Sequence, residues 1–192
     1  VTTGSGSAER PISSDSFKAL KAERDIHITG GSLLLNAMED GLHSNRSTAI
    51  EGGDLLIQAA NDGIHANAGF LMTGGSINIA RSYEGVEASH ILISSGDLSV
   101  VSINDGLNCS GKDEIGKAAG LDGIGAELSG GTVRISAQGD GLDSNGSLLI
   151  TGGKLFINGS TDIQYVPIEW IGSGRISGGL IMAADSGEPL EA

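Results

Sequence analysis

Glycine pairs recurring at one spacing constrain this chain more than any other feature. They stand at Gly30-Gly31, Gly52-Gly53, Gly74-Gly75, Gly130-Gly131, Gly152-Gly153 and Gly178-Gly179, with Ser95-Gly96 in the intermediate place. Successive markers lie 22, 22, 21, 35, 22 and 26 residues apart. A second landmark keeps the same period. The glycines of Asp40-Gly41, Asp62-Gly63 and Asp140-Gly141 each fall 11 residues ahead of a pair, Glu84-Gly85 is one residue closer, and Asp105-Gly106 is displaced by a long insertion. Between markers the apolar residues alternate, as on strands. Two and four residues past each pair come Leu33/Leu35, Leu55/Ile57, Ile77/Ile79, Leu98/Val100, Val133/Ile135, Leu155/Ile157 and Ile181/Ala183. Ile28, Ile50, Met72, Ile93, Leu128, Ile150 and Ile176 precede the pairs, and Leu42, Ile64, Val86, Leu107 and Leu142 follow the acidic landmark.

Three short inward-facing strands per repeat cannot close a core alone, but stacked as coils they bury one continuous aliphatic column. The expected fold is all-β: a right-handed, single-stranded parallel β-helix of about seven coils of about 22 residues. At roughly 4.8 Å per coil the rod is about 30 Å long. Residues 1–14 read as a linker or capping lead-in, residues 15–192 as the β-helix, and residues 110–125 as an insertion loop on its rim.

Composition narrows the partners. With 24 Asp and Glu against 11 Lys and Arg, the formal charge is −13. Such a surface repels phosphate backbones and anionic membranes, so neither nucleic acid nor membrane is an expected partner. No apolar run approaches the roughly 18 residues of a spanning helix. Starting at Val1 without a charged-then-apolar leader, the chain reads as a processed chain or excised domain. Its single cysteine, Cys109, rules out an internal disulfide framework and falls in a column of small inward residues. A monomer is expected.

Stacking turns each column of the repeat into a ladder in space. The column before the landmark glycine reads Lys18, Asp40, Asp62, Glu84, Asp105, Asp140, Val166, and three residues on it reads Lys21, His43, His65, Glu87, Asn108, Asp143, Glu169. Both are expected to point outward at one corner. Like charges about 5 Å apart repel by about 3 kcal/mol per pair at an effective dielectric near 20, so a cation or raised pKa values must relieve the ladder. Hard oxygen donors select calcium. Two clusters emerge. The first is Asp62, Glu84, Glu87 and Asp105 with the amide oxygens of Asn104 and Asn108; the second is Asp140, Asp143 and Glu169. The insertion adds Asp122 near the junction, along with Asp113 and Glu114. The plainer alternative is that Asp-Gly makes a turn whose glycine takes positive φ; Glu84 with Glu87 argues against that, since glutamate is a poor turn former. His43 and His65 stack in one column and could ligate a transition metal as a pair, although solvated surface histidines are the expectation.

The segments Ser82-Tyr83-Glu84-Gly85-Val86-Glu87-Ala88, Asn104-Asp105-Gly106-Leu107-Asn108 and Asp140-Gly141-Leu142-Asp143-Ser144-Asn145-Gly146 carry a resemblance. The chain resembles the calcium-binding, polysaccharide-lyase-like β-helix family of bacterial carbohydrate-binding proteins from cellulolytic clostridia, over roughly residues 16–186. The family's late Ala-Leu/Ile-Asp-Tyr motif stands here as Pro167-Ile168-Glu169-Trp170. The resemblance implies an extracellular or cell-surface protein that binds plant cell-wall polysaccharide, acidic pectic sugars and cellulose included, with more than one calcium ion and without established lyase activity. Tyr83, Lys112 and Lys117 are then the candidate sugar contacts.

Three readings stand at this point. A non-catalytic module would bridge its carboxylates to uronates through calcium. A calcium-dependent, pectate-type lyase would need a Lys or Arg of lowered pKa beside the metal for β-elimination; Lys18, Lys21, Arg81, Lys112 and Lys117 are the bases on offer. A structural cell-surface spacer would use calcium for stability alone. The binding module is preferred. Trp170, Tyr83 and Tyr165 are too scattered to make the planar aromatic row that grips crystalline cellulose, and Trp170, in the small inward column, is expected to plug the last coil.

Overall fold

The computed structural model describes residues 1–4, 6–8, 16–111 and 123–185. They form a parallel β-solenoid of seven coils about 22 residues apart, with no α-helix among the described residues. Each coil carries three strand segments, so the rod has three faces. The first face stacks Leu20–Ala22, Leu42–Ser44, the starts of Ile64–Ser82 and Val86–Ser102, then Leu107–Cys109, Leu142–Ser144 and Ile168–Trp170. Four long strands, Ile26–Ala37, Ser47–Ala59, Ile64–Ser82 and Val86–Ser102, run through the glycine pair and serve both other faces.

The columns read from the period pair in register. On the first face Leu42 lies beside Ile64, Ile64 beside Val86, Val86 beside Leu107, and Leu142 between Leu107 and Ile168. On the second, Ile28, Ile50, Met72, Ile93, Leu128, Ile150 and Ile176 follow one another. On the third, Leu35, Ile57, Ile79, Val100, Ile135, Ile157 and Ala183 do the same. The three columns meet along the axis as one aliphatic core, with Phe70 its one fully buried ring among the described residues.

The two glycine landmarks have different physical causes. The second glycine of each pair takes a left-handed conformation, from φ 74° at Gly131 to 99° at Gly53, and turns the chain between faces. The glycine of the acidic landmark does not adopt positive φ, contrary to the turn expectation. A Cβ on Gly63 would stand 2.7 Å from the carbonyl oxygen of Gly85 and 2.6 Å from Ile79 Cγ2. Close approach between coils requires glycine there.

At the N-terminal end Thr2 makes an isolated parallel bridge with Asn36, and the Ser7 amide donates to Asn36 Oδ1 at 2.7 Å. At the other end nothing among the described residues pairs with the outer edge of Ile168–Trp170, Gly174–Ile176 or Leu180–Ala184. Trp170 holds its expected register beside Ser144 but is 41% exposed, so it does not plug the last coil. Ser144 is covered by the coil that follows it; Trp170 has no such cover.

Candidate functional site

The chemistry lies along the corner where each coil enters the first face. Lys21, His43, His65, Glu87, Asn108, Asp143 and Glu169 stack there in register, one per coil. The neighbouring aspartate column does not point outward as expected. Asp40 and Asp62 are 2% and 3% exposed, and Asp105 and Asp140 are also buried. The side chains of Asp40, Asp105 and Asp140 lie along the rod and accept from the backbone of the next coil, while that of Asp62 meets His65. Asp40 Oδ1 takes the Asp62 N–H at 3.3 Å, Asp105 Oδ1 that of Asp140 at 2.8 Å, and Asp140 Oδ1 that of Val166 at 2.6 Å. The short Asp side chain reaches only that far. Glu84, one methylene longer, instead accepts from the side-chain amides of Asn104 at 3.2 Å and Asn108 at 2.9 Å.

Three electrostatic neighbourhoods follow along the corner. In the first, Lys18 Nζ lies 3.0 Å from Glu39 and 3.5 Å from Asp40, and His43 Nδ1 is 2.7 Å from Asp40 Oδ2. Burial opposes ionisation of Asp40, but His43, Asn61 and Lys18 outweigh it and hold the carboxyl down to about 2. Burial likewise opposes the charge on Lys18, while Glu39 and Asp40 raise its pKa above the usual value.

In the second, the His65 ring stands between two carboxylates. Nδ1 is 3.0 Å from Asp62 Oδ2 and 2.8 Å from Glu87 Oε2, and Nε2 is 2.9 Å from Asn67 Oδ1. Its ring stacks on His43 at 4.8 Å. Both imidazoles are thus pinned on each side, contrary to the expectation of solvated histidines. Burial disfavours the imidazolium of His65, yet the bonds to Asp62 and Glu87 raise its pKa well above the usual range.

In the third, Glu84, Asp105 and Asp143 lie close enough to repel one another, and no ion pair joins them to a Lys, Arg or His among the described residues. Burial first, and then the charges of Glu84, Asp140 and Asp143, push Asp105 up to about 6. Burial and the charges of Asp140, Glu169 and Glu84 do the same to Asp143, also to about 6. Glu84 is raised by burial and by Glu87, against the bonds from Asn108 and Asn104. Asn108 completes the group. It is buried, its amide nitrogen goes to Glu84, and its Oδ1 has no hydrogen-bond partner.

The expected first cluster is therefore divided: the His65 ring lies between Asp62 and Glu87, while Glu84, Asn104, Asp105 and Asn108 stay together and Asp143 joins them. Glu169 is exposed at the end of the row, in register with Asp143. Tyr83 is half-buried. Asp113, Glu114, Asp122, Lys112 and Lys117 lie outside the described residues. The wedged histidine had a legible signal: Asp40-Gly41-Leu42-His43-Ser44-Asn45 repeats as Asp62-Gly63-Ile64-His65-Ala66-Asn67. The motif supplies the carboxylate and the amide that hold the ring.

Residues just upstream of Asp105 and Asp140 in the chain help line a groove of about 650 Å³, with Gln138, Asn158, Ser160, Asp162 and Tyr165 among its walls. Amides, hydroxyls and a phenol are the groups that exchange hydrogen bonds with sugar hydroxyls.

A protein-family model described as "carbohydrate-binding domain-containing protein" matches residues 1–63 and again residues 55–171. The chain belongs to that family. The two overlapping matches together cover residues 1–171, as a repeat architecture allows. No curated protein and no solved structure matches significantly. Membership in this carbohydrate-binding family makes a polysaccharide the partner to test at the corner just described.

Proposed function

We propose that the protein is an extracellular, non-catalytic module that binds acidic plant cell-wall polysaccharide through calcium held on the carboxylate corner. The observation that carries this reading is the group of Glu84, Asp105 and Asp143 around the unpartnered Oδ1 of Asn108. Three mutually repelling carboxylates and a buried amide oxygen are hard donors, of the kind calcium prefers. Glu84, Asp105, Asn108 and Asp143 would hold the ion, with Asn104, Asp140 and Glu169 beside them. Bound there, calcium supplies the positive charge by which an acidic protein attracts a uronate carboxylate.

The chain's own residues do the rest. Asp40, Asp105 and Asp140 brace their coils against the next ones, and the groove of Gln138, Asn158, Ser160 and Tyr165 offers partners for sugar hydroxyls. Lysis would need a base of lowered pKa near the row. Lys18 is raised instead, and is paired with Glu39 and Asp40. That favours binding over β-elimination.

Affinity electrophoresis through gels containing polygalacturonate, with calcium and again with chelator, tests the reading. Retardation with calcium alone, weakened in Glu84→Gln, is expected. Equal mobility in all gels would remove the acidic ligand. Ultraviolet absorbance on polygalacturonate should not rise; a rise from unsaturated product would make the protein a lyase.

A further inference from the structure

The two histidine motifs are alike in sequence and unlike in charge. In the first, the imidazole Nδ1 meets one carboxylate, that of Asp40, and Lys18 Nζ lies 3.5 Å from the same oxygen. In the second, Nδ1 of His65 meets two carboxylate oxygens, Asp62 Oδ2 at 3.0 Å and Glu87 Oε2 at 2.8 Å, and no Lys or Arg bonds to either among the described residues. Asn67 presents its carbonyl oxygen to Nε2, so that nitrogen carries the hydrogen and the Nδ1 lone pair points at the two acids. Two carboxyl oxygens cannot both face a lone pair at these distances unless a proton or a metal ion brings positive charge between them. A proton can supply it and leaves the trio at net −1. A divalent ion supplies it better, because neutral imidazole and two carboxylates then sum to zero.

We infer that Asp62, His65 and Glu87 form a binding site for a divalent transition metal of the zinc class, distinct from the all-oxygen group around Asn108. The ligand atoms lie within 4.8 Å of one another, so one ion can reach all three. An imidazole donor selects zinc, cobalt or nickel over calcium. Outer partners orient the ligands: Asn67 fixes the ring, Ser110 Oγ donates to Glu87 Oε1 at 2.8 Å, and His43 stacks on the ring face. A cleft of about 300 Å³, bounded by His65, Asn67, Glu87, Ser110 and Gly111, opens onto the site. It gives the ion an entry path and leaves room for a fourth ligand, a water or a hydroxyl of a bound molecule. Binding would expel the proton from Nδ1. It does not depend on the carbohydrate reading.

The test is titration of the calcium-saturated protein with Co2+, read by its visible ligand-field absorption, followed by displacement with Zn2+. One equivalent of Co2+ is expected to develop the band and one of Zn2+ to abolish it. Glu87→Gln and His65→Gln should each weaken Co2+ binding at least tenfold, while Asp97→Asn, an exposed acid paired with Arg134 on another face, leaves it unchanged. Glu87 is partly exposed, so its variant keeps the test available if the His65 variant does not melt cooperatively. Absence of a band, or a band undiminished in Glu87→Gln, would overturn the inference. Polygalacturonate retardation is read in a separate gel, so failure of either idea leaves the other standing or falling by its own result.

Discussion

At the scale of single residues, backbone proximity and conformation decide different glycines. Gly63 has a negative-φ backbone, but its Cβ would meet the Gly85 carbonyl and the Ile79 methyl, neither of which can move away cheaply. Gly30 has nothing within 4 Å. Gly63→Ala should therefore cost about 1–3 kcal/mol, the range for overpacking, and Gly30→Ala should stay within about 0.5 kcal/mol of the parent. Urea denaturation of both reads the contrast; equal midpoints would mean that the coils can slide apart to admit a methyl. Cys109 gives a second residue-scale prediction. It is fully buried, and burial pushes its thiol up to about 12. Thiol reagents at mildly alkaline pH should leave the native protein unlabelled and modify one cysteine once it is unfolded.

At the scale of the element, the carboxylate corner ties stability to pH. In the metal-free protein Asp105 and Asp143 titrate at about 6, against 3.8 for an ordinary aspartate. Between those values the folded chain binds more protons than the unfolded one, so stability falls as pH rises through the window. Asp40 has the opposite sign. Its pKa of about 2 adds stability that is complete above 3.8 and lost from there down to about 2. The melting temperature without divalent ions should therefore peak near pH 4 and decline on both sides. Calcium at neutral pH should recover the loss above pH 4, and Asp143→Asn should lessen it; a level profile from pH 4 to 7 would mean that neither burial nor repulsion raises these acids. The row itself was legible in the sequence, because glycine markers set the phase and alternation set the faces. What each member does was not. Column identity cannot say that a carboxylate one methylene shorter than Glu84 turns along the rod to cap a backbone, as Asp105 does for Asp140. Nor can it say that the His65 ring, whose column neighbour is Glu87, turns its Nδ1 between that acid and Asp62. Both facts depend on side-chain reach between neighbouring coils, which the period leaves open.

At the scale of the whole molecule, the solenoid's stability is a sum over coils and the interfaces between them, and its ends differ. Inner coils bury both edges. The first coil has Thr2 bridged to Asn36 along part of its edge, whereas the strands of the last described coil pair on one side only. Ile176, Leu180 and Met182, together with Trp170 and Ile171, are exposed there. Ile176 and Trp170 hold inward positions that are buried in the middle coils and lose their cover at this end, which is why reading Trp170 from its column alone misplaced it. Local opening should follow this gradient. In native-state hydrogen exchange, amides of the middle strands Ile64–Ser82 and Val86–Ser102 should be the slowest, and those of Gly174–Ile176 and Leu180–Ala184 faster by orders of magnitude. Glu84, Asp105 and Asp143 come from three successive coils, so calcium, if they hold it as proposed, should slow exchange most in those coils and less at the far end. If the last coil were as protected as the middle, its edge would be covered in solution, and the additive picture of the rod would need a partner surface at that end.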